Sequence, residues 1–203
     1  MAANILDGVG AAAVNLRQAY INSNRNRLIF AMRISPLDRN EGSGGGITRT
    51  VMQINLRLAG IQDAGLLMEF IKAYYTFDEI PLDPERIRPA LEELLSGDSL
   101  GRAWLIETEG NDAGYLLATF GYDLEFGGRI ATITEFYIQP EYRRGGLGTQ
   151  TIEFVEKTLR ASGVKTLELQ VERTNRKALL FYTKNGFRGH DRIPLSKPIT
   201  GLS

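Results

Sequence analysis

The sequence predicts an α/β fold in which a mixed sheet is flanked by helices. Six extended segments, several with apolar residues at every second position, are interleaved with four segments whose apolar residues recur at helical spacing. Their order is β-α-α-β-β-β-α-β-α-β, which is typical of one mixed sheet with helices packed on it. The 203 residues are 43% hydrophobic and 24% charged, an ordinary composition for a packed globular protein.

Residues 1–51 differ from the rest of the chain. They contain six arginines, three acidic residues and no lysine, and they approach their end through the flexible segment 42–46, Gly-Ser-Gly-Gly-Gly. Three interpretations are open: a targeting sequence, a regulatory or partner-binding arm, and a poorly ordered or linker-like extension. We adopt the third, so that the working domain covers residues 52–203.

The domain opens with one strand and two helices. Residues 52–58 alternate apolar and polar side chains, as a half-buried strand does. Residues 64–75 place their large apolar side chains on one helical face. A second helix is indicated by Asp83 as N-cap and Pro84 in the first turn, and Gly97 is a plausible end.

Three strands and then a helix follow. Residues 103–107 and 114–122 are separated by a turn-rich segment, and a glycine pair precedes a third strand at 129–138. Residues 149–161 have the spacing of an amphipathic helix. Trp104 is expected in the core.

The end of the chain adds a strand, a helix and a tail. Residues 167–171 alternate again and predict a strand, and residues 175–184 predict a short helix. A final extended tail completes the order. Phe120 is also expected in the core.

Composition excludes several classes of protein. Lysine and arginine together number 24, as do aspartate and glutamate, so a nucleic-acid binder that depends on a strongly basic surface is not expected. The absence of cysteine excludes disulfides, cysteine metal sites and cysteine nucleophiles, and the single histidine, His190, makes a histidine metal site unexpected. No uncharged apolar run approaches the roughly 18 residues that cross a bilayer.

The segment 138–149 is the most informative part of the sequence. A strand ends, a turn containing Gly145, Gly146 and Gly148 follows, and an amphipathic helix begins at once. Unpaired N–H groups at a helix start, approached through glycines, bind phosphates. The turn matches neither the dinucleotide fingerprint nor the P-loop. A connector that binds nothing is the alternative.

Two motifs make the assignment more specific. Residues 143–148, Arg-Arg-Gly-Gly-Leu-Gly, resemble the R-x-x-G-x-G signature of the GCN5-related N-acetyltransferase (GNAT) family, and residues 135–142 look like the strand and turn that precede it. Residues 175–187 are similar to the second signature of that family, N-x-x-A-x-x-F-Y-x-x-x-G-F. The resemblance extends from Met52 to the C-terminus. It implies the GNAT fold, with a mostly antiparallel central sheet, and acetyl-CoA as cosubstrate without a metal.

The resemblance also implies where acetyl-CoA lies. The pyrophosphate would contact backbone N–H groups from Arg144 to Thr149, and the pantetheine would pair with the fourth strand. A backbone N–H of that strand would polarise the thioester carbonyl. The cofactor-binding residues implied in this way are Phe136, Tyr137, Ile138, Arg143, Arg144, Gly145, Gly146, Leu147, Gly148, Thr149, Asn175, Ala178 and Tyr182.

Acetyl transfer to an amine needs two proton transfers. An amine with a pKa near ~10 must lose a proton before it attacks, and the departing thiolate gains one. Tyr182 matches the tyrosine general acid of the family, the alternative being a tyrosine that only packs or binds CoA. Glu135 could act as base, directly or through water, or be a solvated strand carboxylate.

Other residues are weaker candidates. His190 lies in a late loop, where a surface or loop-closing role is expected. Tyr74, Tyr75, Asp78 and Glu79 lie between the first two helices, where family members form the acceptor pocket. A plain solvated loop is the alternative there.

The sequence therefore predicts an acetyl-CoA-dependent N-acetyltransferase that acts by direct transfer in a ternary complex. The expected acceptor is an amine-bearing small molecule rather than a protein, with no nucleic-acid or membrane partner. A protein-directed enzyme and a non-catalytic acyl-CoA-binding module remain alternatives. A homodimer is suggested by analogy alone, and the cytoplasm is the expected location.

Overall fold

A computed structural model describes residues 54–197 and residue 199. The predicted extension 1–51 and the first two residues of the first strand lie outside the described residues. Within the described part, the family-like order of strands and helices is observed with one exception at the C-terminal end.

The described chain forms one five-stranded sheet in the order β1-β2-β3-β4-β5. The pairs β1–β2, β2–β3 and β3–β4 are antiparallel, whereas the pair β4–β5 is parallel. The predicted mixed, mostly antiparallel sheet is therefore confirmed. The strands are β1 (Ile54–Leu58), β2 (Gly101–Thr108), β3 (Asn111–Asp123), β4 (Gly128–Ile138) and β5 (Thr166–Leu169).

Helices cover both faces of this sheet. Asp83 caps one of them as predicted, because its side chain accepts a hydrogen bond from the backbone N–H of Arg86 at 3.3 Å and Pro84 follows it. Asn175 caps another through the N–H of Ala178 at 3.0 Å. The helices are α1 (Ala64–Phe77), α2 (Pro84–Leu95), α3 (Leu147–Ala161) and α4 (Arg176–Lys184).

Two apolar clusters hold the layers together. One lies between the sheet and helices α1 and α2 and contains Tyr115 and Leu105, both fully buried. The other lies between the sheet and helices α3 and α4 and contains Val155 and Trp104, which confirms Trp104 as core. Because alternate residues of a strand face opposite sides, each cluster takes every second strand residue.

Two predictions at the margins of the sheet need correction. Phe120 packs against the cluster beneath α3 and α4, but it is only partly buried, with the guanidinium of Arg129 3.8 Å from its ring centroid. The final extended tail forms no strand within residues 187–197, where Pro194 offers no backbone N–H and most side chains are exposed. This segment is held by an ion pair between Arg192 and Glu125 at 2.8 Å.

Candidate active site

The sheet opens between β4 and β5. The two strands pair only from Ile130 to Ile133 on β4, because β5 ends at Leu169, two residues earlier than predicted. Within the described chain, residues 135–138 pair with β3 alone. The opposite edge of these residues has no neighbouring strand in the described chain. Such an edge can pair with an extended ligand through its backbone N–H and C=O groups.

A β-bulge at Thr134 decides which face the next residue occupies. Ile133 is opposite Ala118, whereas Glu135 is opposite Leu117, so Thr134 is an extra residue on β4. Ile133 belongs to the α3–α4 cluster, and regular alternation would put Glu135 on that face too. The bulge instead turns Glu135 toward α1 and α2.

Glu135 is held by two tyrosines. The hydroxyl of Tyr75, on α1, donates to its Oε1 at 2.9 Å, and the hydroxyl of Tyr115, on β3, donates to its Oε2 at 2.5 Å. Burial raises the pKa of Glu135 above its ordinary value, and the two hydrogen bonds act in the opposite direction. A carboxylate with a raised pKa is suited to accept a proton near neutral pH.

Tyr182 lies on the opposite side of β4 from Glu135. It is 3% exposed, and its ring contacts those of Phe181 and Phe187 edge to face at centroid distances of 5.1 and 5.5 Å. Phe181 in turn contacts Phe136 of β4. Burial raises the pKa of the Tyr182 hydroxyl, which therefore keeps its proton at neutral pH. No residue in the described ranges hydrogen-bonds to that hydroxyl.

The glycine turn leads directly into α3. Gly146 is the N-cap with φ of 87°, a left-handed conformation that favours glycine, and the first helical bond runs from the N–H of Gln150 to the carbonyl of Gly146 at 3.1 Å. The N–H groups of Leu147, Gly148 and Thr149 precede that bond, so the helix itself gives them no partner. A Cβ on Gly146 would meet only the Gln150 side chain, at 3.7 Å, so the turn is open.

The two arginines of the turn have different surroundings. Arg143 donates from Nε to the carbonyl of Ile138 at 2.6 Å, and its guanidinium lies over the rings of Phe77 and Tyr137. It thereby ties the end of β4 to the end of α1. Arg144 is exposed, with φ of 74°. Of the two, Arg144 is the one whose side chain is accessible beside the turn.

The remaining candidates have different surroundings. Tyr75 reaches Glu135 through its hydroxyl. Tyr74 is 3% exposed and packs against Tyr137, so it belongs to the core. Asp78 acts electrostatically on Arg143, while Glu79 is exposed on the loop that follows α1. His190 is exposed in the tail.

Tyr115 was missed by sequence reasoning. It looks like any aromatic residue of a buried strand, and its link to Glu135 depends on the register between β3 and β4. Spacing alone gives the wrong face for Glu135, because the bulge at Thr134 cannot be read from an alternation pattern. The one signal for this cluster in the sequence was the position of Glu135 among the apolar residues of a strand.

Two further findings concern the described residues alone. They contain no cluster of three or more histidine, cysteine, aspartate or glutamate residues that could hold a metal ion. None of their helices is both long enough and apolar enough to cross a membrane.

The sheet opens between its fourth and fifth strands beside a glycine turn that begins helix α3. The model of the acetyltransferase (GNAT) family matches residues 66–187. The chain therefore belongs to the GNAT family, as the two motifs had indicated.

Known proteins agree with this assignment. An amino-acid acetyltransferase of Azotobacter vinelandii is 29% identical over 157 residues, which are 76% of this chain and 33% of that protein. The chain thus spans about a third of the length of the curated relatives it matches.

Solved structures share the fold. An integron cassette protein from the mobile metagenome of Cole Harbour Salt Marsh is 26% identical with a TM-score of 0.64, covering 71% of this chain and 90% of that one. A predicted acetyltransferase of Clostridium acetobutylicum, solved with acetyl-CoA, is 20% identical with a TM-score of 0.60, covering 71% and 96%. The predicted fold and family are confirmed.

Proposed function

We propose that this protein transfers an acetyl group from acetyl-CoA directly to the primary amine of a small molecule. One observation carries the proposal: Glu135 and Tyr182, a proton acceptor and a proton donor, lie on opposite faces of the segment of β4 whose edge is open. A group bound along that edge lies between them. The chain has no cysteine to carry an acyl group, which favours direct transfer.

The residues around the open edge suit acetyl-CoA. The N–H groups of Leu147, Gly148 and Thr149 and the charge of Arg144 would hold its phosphates, since a helix start attracts anions. Residues 136–138 offer a strand edge to the pantetheine, and Asn175 and Ala178 lie at the start of α4. When bound, acetyl-CoA supplies the activated acetyl group.

The protein moves two protons. Glu135 accepts one from the ammonium nitrogen of the acceptor, because only the neutral amine has a free electron pair. Tyr182 donates its hydroxyl proton toward the position of the sulfur on the opposite face. The raised pKa of Glu135 makes its carboxylate a stronger base, and the raised pKa of Tyr182 keeps its phenol protonated at neutral pH.

We propose an amino acid as the acceptor. The matching relative from Azotobacter vinelandii is named an amino-acid acetyltransferase, which supports this choice. Arg86 is exposed in the first turn of α2, and its charge acts on the Tyr75 hydroxyl that contacts Glu135. An arginine in that position can bind the carboxylate of an amino acid whose amine faces Glu135.

The other predictions remain proposals. We propose that the acetyltransferase domain spans residues 52–203 and that the extension 1–51 takes no part in catalysis. The need for acetyl-CoA is the reason to place the protein in the cytoplasm. Homodimerisation stays a prediction by analogy.

Free-thiol release from acetyl-CoA tests the proposal. The full chain is assayed with amino acids, and each amino acid is matched by the amine that lacks its carboxyl group. We expect turnover that is faster with the amino acid of each pair. Faster turnover of the decarboxylated amines would contradict the acceptor class. Calorimetric binding of acetyl-CoA with no turnover of any amine would favour the non-catalytic binding module.

A further inference from the structure

We propose that Tyr75 and Tyr115 are positioning residues that together hold the Glu135 carboxylate in one orientation on the face of β4 that meets α1 and α2. The inference rests on the proposed function and adds two residues to it. Neither tyrosine belongs to the two sequence motifs, and they come from different elements, α1 and β3.

The geometry assigns one phenol to each carboxylate oxygen. Tyr75 donates to Oε1 at 2.9 Å and Tyr115 to Oε2 at 2.5 Å, so rotation of the carboxylate would break both bonds. A carboxylate can accept about four hydrogen bonds. Two positions therefore remain for the amine of the acceptor or for a water molecule that relays its proton.

The two tyrosines are fixed to different degrees. Tyr115 has no exposed surface and stacks on Phe70 at 6.1 Å, so it cannot touch a substrate and can act only through Glu135. Tyr75 is partly buried and packs edge to face on Tyr74 at 5.7 Å. The carboxylate is thus held by one phenol that is fully buried in the core and by another that is partly exposed.

The same hydrogen bonds set the acidity of the carboxyl group. Burial raises the pKa of Glu135, and the bonds from Tyr115 and Tyr75 oppose that rise because they stabilise the anion. Removal of one phenol should move the pKa further upward. Glu135 is then protonated, and unable to act as base, up to a higher pH.

Other charged or titratable groups around the cluster are few. Tyr74 lies beside Tyr75 on α1, Arg86 approaches from α2, and Tyr137 shares the face of β4 with Arg143 behind it. They remain in place in the Tyr→Phe variants that test the inference, so a change in the titration of Glu135 reports the missing phenol.

Tyr75→Phe and Tyr115→Phe test the inference, with Tyr122→Phe, at a residue 75% exposed, as the matched control. Loss of a hydrogen bond to a charged group raises the pKa of a carboxyl by about one or more. We expect the acidic limb of the kcat/KM profile to move to higher pH by that amount in the first two variants. The Kd for acetyl-CoA should stay unchanged, and the control should titrate as the unmodified chain does.

A second readout does not require activity. The carboxyl carbon of Glu135, labelled with carbon-13 and assigned through its absence in Glu135→Gln, is titrated by NMR in each folded variant. A higher pKa of Glu135 in Tyr75→Phe supports the inference even if no acceptor turns over, whereas an unchanged titration in Tyr75→Phe overturns it even in an active enzyme. Because Tyr75 is only partly buried, this variant keeps the test decisive if Tyr115→Phe fails to fold.

Discussion

Glu135 is the residue with the largest consequence for the proposed function, and the face of the sheet that its side chain occupies was not evident from the alternation of the strand. Glu135 follows a bulge, so it faces α1 and α2 while Ile133 faces α3 and α4. That reversal places the Glu135 carboxylate on one face of β4 and leaves Phe136 and the neighbouring Tyr182 on the other. At the scale of single residues, the proposed mechanism depends on this change of face.

Replacement of Tyr182 by phenylalanine removes one proton donor and keeps the ring. We expect kcat to fall by about 100-fold, the lower end of the range for general acid–base catalysis, with little change in acetyl-CoA affinity. The ring contacts with Phe181 and Phe187 should preserve the fold. Steady-state kinetics and calorimetry measure the two effects. An unchanged kcat would remove Tyr182 from the reaction.

The elements that surround the site could largely be predicted from the sequence. Alternation and helical spacing located each observed strand and helix, and the Asp83 cap was correct. The predictions that failed concern contacts between residues that are distant in the chain. The described part of the tail, residues 187–197, forms no strand, and Tyr115 meets Glu135 only through the register of β3 and β4. Local patterns contain neither the register nor the bulge, so the two motifs identified the family but not this cluster.

The turn before α3 offers a test with an internal control. Gly146 and Gly163 both have left-handed φ values, 87° and 80°, and both have space for a Cβ. Alanine at either position costs about 1 kcal/mol of folding free energy, because L residues avoid this conformation. We expect only Gly146→Ala to weaken acetyl-CoA binding as well. Calorimetry and urea unfolding of both variants measure this. Equal acetyl-CoA affinity in the two variants would place the phosphates elsewhere.

The start of α1 is held by an ion pair that makes stability depend on pH. Arg57 forms two hydrogen bonds to Asp63, at 2.9 and 3.0 Å, and they hold the pKa of Asp63 below its ordinary value. The stabilisation is therefore present above about pH 4, the ordinary pKa of aspartate, and is lost as the pH falls through the lowered value.

Asp63→Asn should lower the free energy of unfolding at neutral pH by about 1 kcal/mol, with allowance for solvent screening of the partly exposed arginine. The deficit should shrink as the pH falls below about 4. Glu92→Gln, which breaks the exposed pair of Arg88 and Glu92, is the control and should change little. Urea unfolding across pH measures both, and a deficit in Asp63→Asn that is independent of pH would contradict this account.

At the scale of the whole molecule, the sheet separates the two halves of the chemistry. Helices α1 and α2 enclose one face with Glu135 and its two tyrosines, and helices α3 and α4 enclose the other with the glycine turn and Tyr182. The two faces come together where β4 and β5 part. In the proposed mechanism, this arrangement lets the two distant motifs and a strand carboxylate act at one place.

The most direct measurement is the initial rate of thiol release by Glu135→Gln and by the unmodified chain, at neutral pH with the preferred acceptor. We expect kcat/KM for the acceptor to fall by about 100-fold or more in the variant, while the Kd for acetyl-CoA is unchanged. Equal rates in the two proteins would contradict it, because the proton of the amine would then leave by a route that does not involve Glu135.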